Sequence, residues 1–358
     1  MSRDPAQKKK KAGMSQATLT IDLDAIAANW RTLAAASGTA ETAAVVKADA
    51  YGLGLAPVAK ALLAAGARTF FVAQAHEGAA LRNVLDPSQD IYVFGGYHPQ
   101  DHDFIKDTGL IPLLNSPAQV TAFRDNLPGH PFGLQLDSGM NRLGIEPFEL
   151  SGVLDVLSMA DARLAMSHLA CSDAPENTAN EVQRASFASM CASLPNIPRS
   201  LAATGGIHLG SSYHFEMTRP GIGLYGGDPG KTEAVVTLSA PVLQTRDVQT
   251  GEAVGYGAGW IATRDSKIST VSIGYADGLF RGTHGARVFI DETPCPIVGR
   301  ISMDLITIDA TDLAEPPDAV TLIGPHQTID DLAAAASTIG YEVLTALGPR
   351  HIRRYIGG

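Results

Sequence analysis

The sequence predicts an α/β protein, a (β/α)8 TIM-type barrel followed by a mostly β C-terminal domain. Eight short apolar or alternating runs recur through the first two-thirds of the chain, at residues 43–48, 69–73, 91–94, 109–113, 132–136, 163–167, 199–203 and 222–225. Alanine- and leucine-rich stretches with helical spacing lie between them, and strands alternating with helices argue for parallel pairing through crossover connections. Beyond about residue 235 the pattern turns to short alternating runs broken by Gly, Pro and Asp, the mark of a second, mainly β unit. Eight repeats over about 200 residues match the size of a closed barrel. On pattern alone a doubly wound open sheet is the alternative.

Residues 1–15, with the run Lys8-Lys9-Lys10-Lys11, read as a disordered basic tail, because a short lysine run is ordinarily solvated. Residues 16–235 form the expected barrel. The strand at 18–23 precedes the eight barrel runs and is a candidate to pair with the C-terminal domain instead. Helical spacing marks Leu55–Ala65, Ala75–Val84, Pro117–Asn126, Pro147–Ser158 and Asn177–Ser193. Residues 236–358 form the expected β domain, with strands at Ala234–Leu238, Lys267–Ile273, Arg287–Ile290, Leu305–Ile308 and Ala319–Ile323. A late helix at Asp330–Thr338 carries Asp in its first turn, where negative charge opposes the helix dipole.

Composition narrows the function. Of 358 residues, 27 are Lys or Arg and 37 are Asp or Glu, a formal charge of -10. A general nucleic-acid binder needs a phosphate-neutralising basic surface, so a small-molecule substrate fits better. No apolar run approaches the roughly 20 residues that span a bilayer, and a cytoplasmic protein is expected. Cys171, Cys191 and Cys295 are odd in number and lack zinc-type spacing, so they read as reduced thiols and no metal is expected.

Lys47 ends an apolar strand and precedes a short glycine-containing segment, which puts it at the barrel mouth where active sites gather. An ammonium there becomes a nucleophile toward aldehydes once burial or nearby cations lower its pKa. A surface lysine just past a strand is the bland alternative. Ala202-Ala203-Thr204-Gly205-Gly206, after the seventh run, joins a hydroxyl to glycines whose amides can approach an anion closely. Arg219-Pro220-Gly221-Ile222-Gly223-Leu224-Tyr225-Gly226, at the eighth, offers glycine amides beside a cation. Barrels commonly bind phosphate with the loops after strands seven and eight, so the two half-sites reinforce each other.

These residues resemble a known family. Val45-Val46-Lys47-Ala48-Asp49-Ala50-Tyr51-Gly52-Leu53-Gly54 is similar to the cofactor-lysine signature of alanine racemases. Leu136-Asp137-Ser138-Gly139-Met140-Asn141-Arg142-Leu143-Gly144, Ser167-His168-Leu169-Ala170, Arg219-Pro220-Gly221-Ile222 and Gly255-Tyr256-Gly257 follow in the family's order. So do Gly274-Tyr275-Ala276-Asp277-Gly278, Gly299-Arg300-Ile301-Ser302-Met303-Asp304 and Tyr341-Glu342. The resemblance covers nearly all of residues 16–358.

It implies a pyridoxal 5'-phosphate-dependent isomerase that interconverts L- and D-alanine, with two sites shared across a homodimer. The D-alanine made this way serves peptidoglycan or L-alanine breakdown. By resemblance Lys47 carries the cofactor as an aldimine and is the base on the D-alanine face. Tyr256 of a second subunit is the base on the L-alanine face, and must be made more acidic than its reference pKa of about 10. Two bases on opposite sides of one Cα–H bond are what inversion needs, since a single base exchanges the proton without inverting. Arg219 faces the pyridine nitrogen. Tyr51, Thr204, the backbone at Gly221 and Ile222, and Tyr341 hold the phosphate, with Thr204 standing where the family usually has serine. His168 lies behind the ring and orients Tyr256, while Arg142 and the Met303 amide hold the substrate carboxylate. Asp304 comes from the second subunit with Met303, and Tyr275 and Arg281 narrow the mouth. Gln135 stands where many members carry a carbamylated lysine beside the arginine. Its amide oxygen is expected to accept from Arg142, or an inorganic anion to fill the space.

Three alternatives remain open at this point: a broader serine/alanine racemase, a cofactor-binding protein without turnover, and an aldolase-type barrel whose lysine meets a carbonyl substrate directly.

Overall fold

The computed structural model describes residues 16–154, 161–283 and 285–358. The tail expected at 1–15 and residues 155–158 of the helix expected at 147–158 lie outside the described residues. Within that helix's first half the chain makes only a short 3-10 turn, Leu150–Gly152. The chain divides into two compact units, Asp22–Val235 with Ile356–Gly358, and residues 16–21 with Val236–Tyr355. Among the described residues no helix is long and apolar enough to cross a membrane.

The first unit is the predicted barrel. Seven parallel strands follow in sequence order, Ala44–Val45, Thr69–Val72, Asp90–Val93, Ile111–Leu114, Phe132–Gln135, Ala162–Met166 and Arg199–Ser200. Thr69–Val72, Ile111–Leu114 and Phe132–Gln135 are buried at every position, as strands covered on both faces must be. The eighth strand is not the run 222–225, which is a buried 3-10 turn, Ile222–Tyr225. It is Met217–Thr218, paired in parallel with Glu41–Thr42. On its other side Glu216 N donates to Arg199 O at 3.1 Å and Arg219 N to Ala202 O at 2.8 Å. Ala43 N to Thr218 O and Val45 N to Pro220 O, at 2.9 and 3.1 Å, complete a seam that closes the ring. Ser37, Thr42 and Thr218 join their buried hydroxyls behind it.

Helices Leu55–Ala65, Ala75–Arg82, Pro117–Asn126 and Ala179–Cys191 run between strands. Ser116 caps Pro117–Asn126 with its side chain, and the proline sits in the first turn, where its missing N–H costs nothing. Leu23–Ser37 begins under the Asp22 carboxylate, which accepts Ala25 N at 3.0 Å.

The second unit is mainly β. Ser266–Val271, Ile306–Asp309, Thr293–Val298, Arg287–Ile290, Ala319–Ile323 and Val236–Val248 pair in that order, and Val236–Val248 returns to Ser266–Val271. One thirteen-residue strand manages both ends because its register shifts between Val242 and Gln244. Such a shift bends the strand and raises its twist. Thr18–Asp22 pairs antiparallel with the start of that strand, Thr18 opposite Ser239. Two short helices follow, Ile329–Ala335 and Gly340–Ala346, the first capped by Thr328.

Candidate active site

Lys47 lies two residues past the strand Ala44–Val45 and opens an unusual turn. Ala48, Asp49, Ala50 and Tyr51 all have φ between 53° and 56°, four consecutive non-glycine residues in the left-handed region. Each costs about 1–2 kcal/mol against the right-handed form, so the turn exists only because its surroundings impose it. Ala50 N donates to Val46 O at 2.9 Å, Gly52 N to Ala48 O at 2.8 Å and Gly54 N to Asp49 O at 2.9 Å. The Asp49 carboxylate accepts Leu55 N at 2.7 Å, and Glu77 accepts Ala48 N at 2.8 Å.

The lysine amine lies 5.7 Å from the Phe94 ring centroid. Burial, then the nearby Arg142 charge, lowers its pKa, partly opposed by Glu77. That is the environment a nucleophilic amine requires.

Arg219 is 2% exposed. Its guanidinium donates to Ser200 Oγ at 2.5 Å and Ser167 O at 2.7 Å, and lies 5.8 Å from the Phe71 ring centroid. Among the described residues no carboxylate pairs with it. Burial pulls it down to about 9, which still leaves it charged at neutral pH. His168 is held neutral by burial and then by Arg219, Arg142 and Lys47, which together push its imidazole down to about 3. Those influences gather Lys47, Arg142, His168 and Arg219 in one electrostatic neighbourhood.

Thr204 begins the short helix Thr204–His208, and its buried hydroxyl accepts the amide protons of Gly221 at 3.1 Å and Gly223 at 3.2 Å. With both lone pairs engaged, the hydroxyl has its own proton to give, and among the described residues nothing accepts it. Gly221 lies so close to Tyr51 that a Cβ there would run into the tyrosine hydroxyl. The Tyr51 ring packs tilted against Tyr225, 4.6 Å between centroids, and the Tyr225 hydroxyl donates to Val45 O at 2.9 Å. A surplus O–H proton from Thr204 and the Tyr51 hydroxyl, meeting at Gly221 where no Cβ intervenes, fit a phosphate, and the buried guanidinium, without an acidic partner among the described residues, fits a neutral ring nitrogen.

Arg142 rides a loop pinned at its base, where Asp137 N donates to Ile145 O and Ile145 N to Gln135 O, both at 2.9 Å. The Asp137 carboxylate gathers the amides of Gly139, Met140 and Asn141 at 2.8–3.2 Å. Gly144, at φ 133°, has no room for a side chain against the Leu136–Asp137 backbone. The arginine itself is exposed, and among the described residues nothing hydrogen-bonds it. The expected Gln135–Arg142 bond is not formed. Gln135 turns its amide nitrogen to Leu143 O at 2.9 Å, because that carbonyl, on the same loop, is an acceptor within reach.

Lys47, Tyr51, Arg142, His168, Thr204, Arg219, Gly221 and Ile222 therefore all belong to the barrel unit. Tyr256, Met303 and Tyr341 belong to the β unit. Tyr256 begins the 3-10 turn Tyr256–Ala258 between Gly255 and Gly257, both at positive φ, and is 70% exposed. Met303 is 54% exposed, and its carbonyl accepts Ala276 N at 2.9 Å beside the bond from Tyr275 N to Ser302 O at 3.0 Å. Asp304 pairs with Arg350 at 2.8 Å, and Arg350 reaches Asp277 at 3.2 Å. Tyr341 lies near the start of Gly340–Ala346 and is exposed.

Sequence reasoning missed Ser200, Ser167 and Glu77. Nothing marks Ser200, since a strand serine is unremarkable until the arginine is seen bound to it, and Ser167, though within a motif quoted above, acts through its backbone carbonyl, which no side chain announces. Glu77 had a signal in Gln74-x-x-Glu77 at a helix start, the spacing of a capping box.

Residues 21–229 match the family described as alanine racemase, N-terminal domain, and residues 235–355 match alanine racemase, C-terminal domain. The chain belongs to the alanine racemase family. An alanine racemase from a Ruegeria species is 56% identical over 345 residues, 96% of this chain and 99% of that one. One from Rhizobium meliloti is 44% identical, covering 95% and 97%. A crystal structure of alanine racemase from Bartonella henselae with covalently bound pyridoxal phosphate superposes with a TM-score of 0.91 at 41% identity, covering 96% of this chain and all of that one. The biosynthetic alanine racemase of Pseudomonas aeruginosa gives 0.91 at 34% identity. The barrel followed by a mainly β domain, expected from alternation alone, is the alanine racemase fold.

Proposed function

We propose that this protein is an alanine racemase that interconverts L- and D-alanine with pyridoxal 5'-phosphate held on Lys47. One observation carries the reading: a lysine with a depressed pKa shares its neighbourhood with a buried arginine that has no acidic partner among the described residues.

Lys47 would bind the cofactor covalently, Arg219 would donate to its ring nitrogen, and Thr204, Tyr51, Tyr341 and the backbone at Gly221 and Ile222 would hold its phosphate. When bound, the cofactor supplies the electron sink that makes the substrate Cα–H acidic. Arg219 keeps its proton, so the ring nitrogen meets a hydrogen-bond donor and not an acid. Lys47 would hold or move the Cα proton on one face. Tyr256, supplied by a second copy of the chain, would do so on the other, and the Met303 backbone amide of that copy would hold the substrate carboxylate. The exposure of these two large side chains in the single chain supports a homodimer with shared sites. His168, kept neutral, keeps a proton off its own ring nitrogen and so leaves an acceptor for the tyrosine. Three free cysteines, two of them buried, fit a reducing cytoplasm.

The test follows deuterium from solvent into Cα of L- and D-alanine, together with optical rotation, in the native chain and in Tyr256→Phe. The native chain should racemise with label uptake from both enantiomers, and Tyr256→Phe should keep the bound cofactor while losing racemisation. Equal turnover by that variant removes Tyr256 from its role. Running serine beside alanine measures how broad the site is.

A further inference from the structure

We propose that Glu77 is a positioning residue for Lys47, one carboxylate that ties the start of the helix Ala75–Arg82 to the left-handed turn presenting the lysine. This rests on the reading of Lys47 as cofactor carrier.

A capping box asks for one acceptor oxygen at this position. Glu77 Oε2 supplies it, taking Gln74 N at 3.1 Å and Ala73 N at 2.7 Å. The second oxygen is then spare. Oε1 reaches across 29 residues of chain to Ala48 N at 2.8 Å. Ala48 directly follows Lys47 and is the first of the four residues at positive φ. A strained conformation persists only where its surroundings over-determine it, and this bond acts on the residue where the strain begins. Ala73, at the end of the neighbouring strand Thr69–Val72, fixes the other end of the brace, so the lysine's backbone is referred to the barrel wall and not only to its own loop. The same negative charge favours the ammonium form of Lys47 against burial and Arg142.

A plain helix cap and a brace for Lys47 differ in their response to Glu77→Gln. Glutamine serves a capping box as well as glutamate does. It has only one acceptor oxygen, and its NH2 cannot face an N–H donor; with two donors at the helix start, Ala73 N and Gln74 N, against one at Ala48, that oxygen stays at the helix start and Ala48 N loses its partner.

The full chain is studied loaded with pyridoxal phosphate and stripped of it, as native, Glu77→Gln and Lys47→Ala. In the stripped protein, amide hydrogen exchange should speed up about tenfold or more over residues 47–52 in Glu77→Gln and stay unchanged over 75–82, as expected for loss of a charge-assisted bond. Affinity for pyridoxal phosphate, read from the visible band of the lysine-bound form, should fall about tenfold with little change in melting temperature. Unchanged exchange at 47–52 overturns the proposal, and so does equal acceleration in both segments, which makes Glu77 a cap alone. If the native chain takes up no cofactor, or Lys47→Ala takes it up equally well, the reading of Lys47 fails instead, and the exchange data on stripped protein still decide for or against the brace.

Discussion

The Arg219 guanidinium donates to the Ser200 hydroxyl at 2.5 Å, and that hydroxyl in turn donates to Met217 O at 2.6 Å. A serine on the seventh barrel strand thus neutralises no charge but gives a fully buried cation an acceptor, and ties it to the strand that closes the barrel.

Ser200→Ala removes that acceptor and leaves a buried N–H of Arg219 without one. The expected loss is about 1–3 kcal/mol, since an unmade buried hydrogen bond costs its full desolvation. Thermal unfolding should report it at about 2–4 °C per kcal/mol for a unit of this size. An unchanged melting temperature shows that the guanidinium has found another acceptor.

Thr204→Val keeps the shape and deletes the hydroxyl, leaving the amides of Gly221 and Gly223 unpaired and the phosphate one donor short. Pyridoxal phosphate affinity should fall at least about tenfold, measured by titrating the stripped protein. Thr204→Ser should bind as the native chain does. If serine loses as much as valine, the methyl group and not the hydroxyl matters.

His168 sets a pH dependence. Its folded value of about 3 lies below the ordinary value of 6.5, so between those limits the unfolded chain binds the extra proton. Stability contributed by keeping it neutral is complete above about 6.5 and is lost as pH falls toward 3, by up to about 1.4 kcal/mol per pH unit. Urea unfolding of stripped protein between pH 4.5 and 7 should show the slope, and His168→Gln should reduce it by about one proton. Parallel profiles assign the slope elsewhere.

Arg142 and Lys47 are like charges, and Arg142 helps lower the lysine. In Arg142→Met the lysine pKa rises, so covalent uptake of pyridoxal phosphate should need a higher pH than in the native chain. Uptake rates measured across pH check the direction. A profile that stays in place, or moves to lower pH, counts against it.

Mixing two inactive variants tests the shared site. Lys47→Ala and Tyr256→Phe subunits, dissociated and reassociated, should recover about a quarter of native activity, because half the dimers are mixed and each has one complete site. No recovery puts Tyr256 and Lys47 of the same chain together.

Most of the fold was legible because parallel strands buried on both faces and helices with a 3.6-residue period write themselves into hydropathy. The misreading of 222–225 has a local cause. Ile222-Gly223-Leu224-Tyr225 is apolar and buried like a strand, but Gly221, Gly223 and Gly226 let it wind into a 3-10 turn. The true eighth strand, Met217–Thr218, is two residues long and leaves no periodic trace. Thr293–Val298 was hidden by Pro294 and Pro296, residues that argue against a paired strand. The structure reconciles them, since toward Ile306–Asp309 only Ile297 and Val298 are paired.

In the candidate site, chemistry-bearing side chains such as Lys47, Thr204 and Arg219 announce themselves by type and by place at strand ends. Their supports do not. Ser200 and Glu77 act by distance across the fold, 19 and 29 residues from what they hold, and no local pattern encodes that.

The seam of the barrel joins Thr42 to Thr218 across 176 residues, through two strands of two residues each. Closing so long a loop is entropically costly and is repaid only when the rest of the ring is in place, so this pairing belongs to the late phase of folding. Val45 and Pro220 meet on the same seam, two residues from Lys47 and one from Arg219. Lys47 and Arg219, two of the site's cations, are brought to their places by the last stitch, and a chain that colours with cofactor is a chain whose barrel has shut.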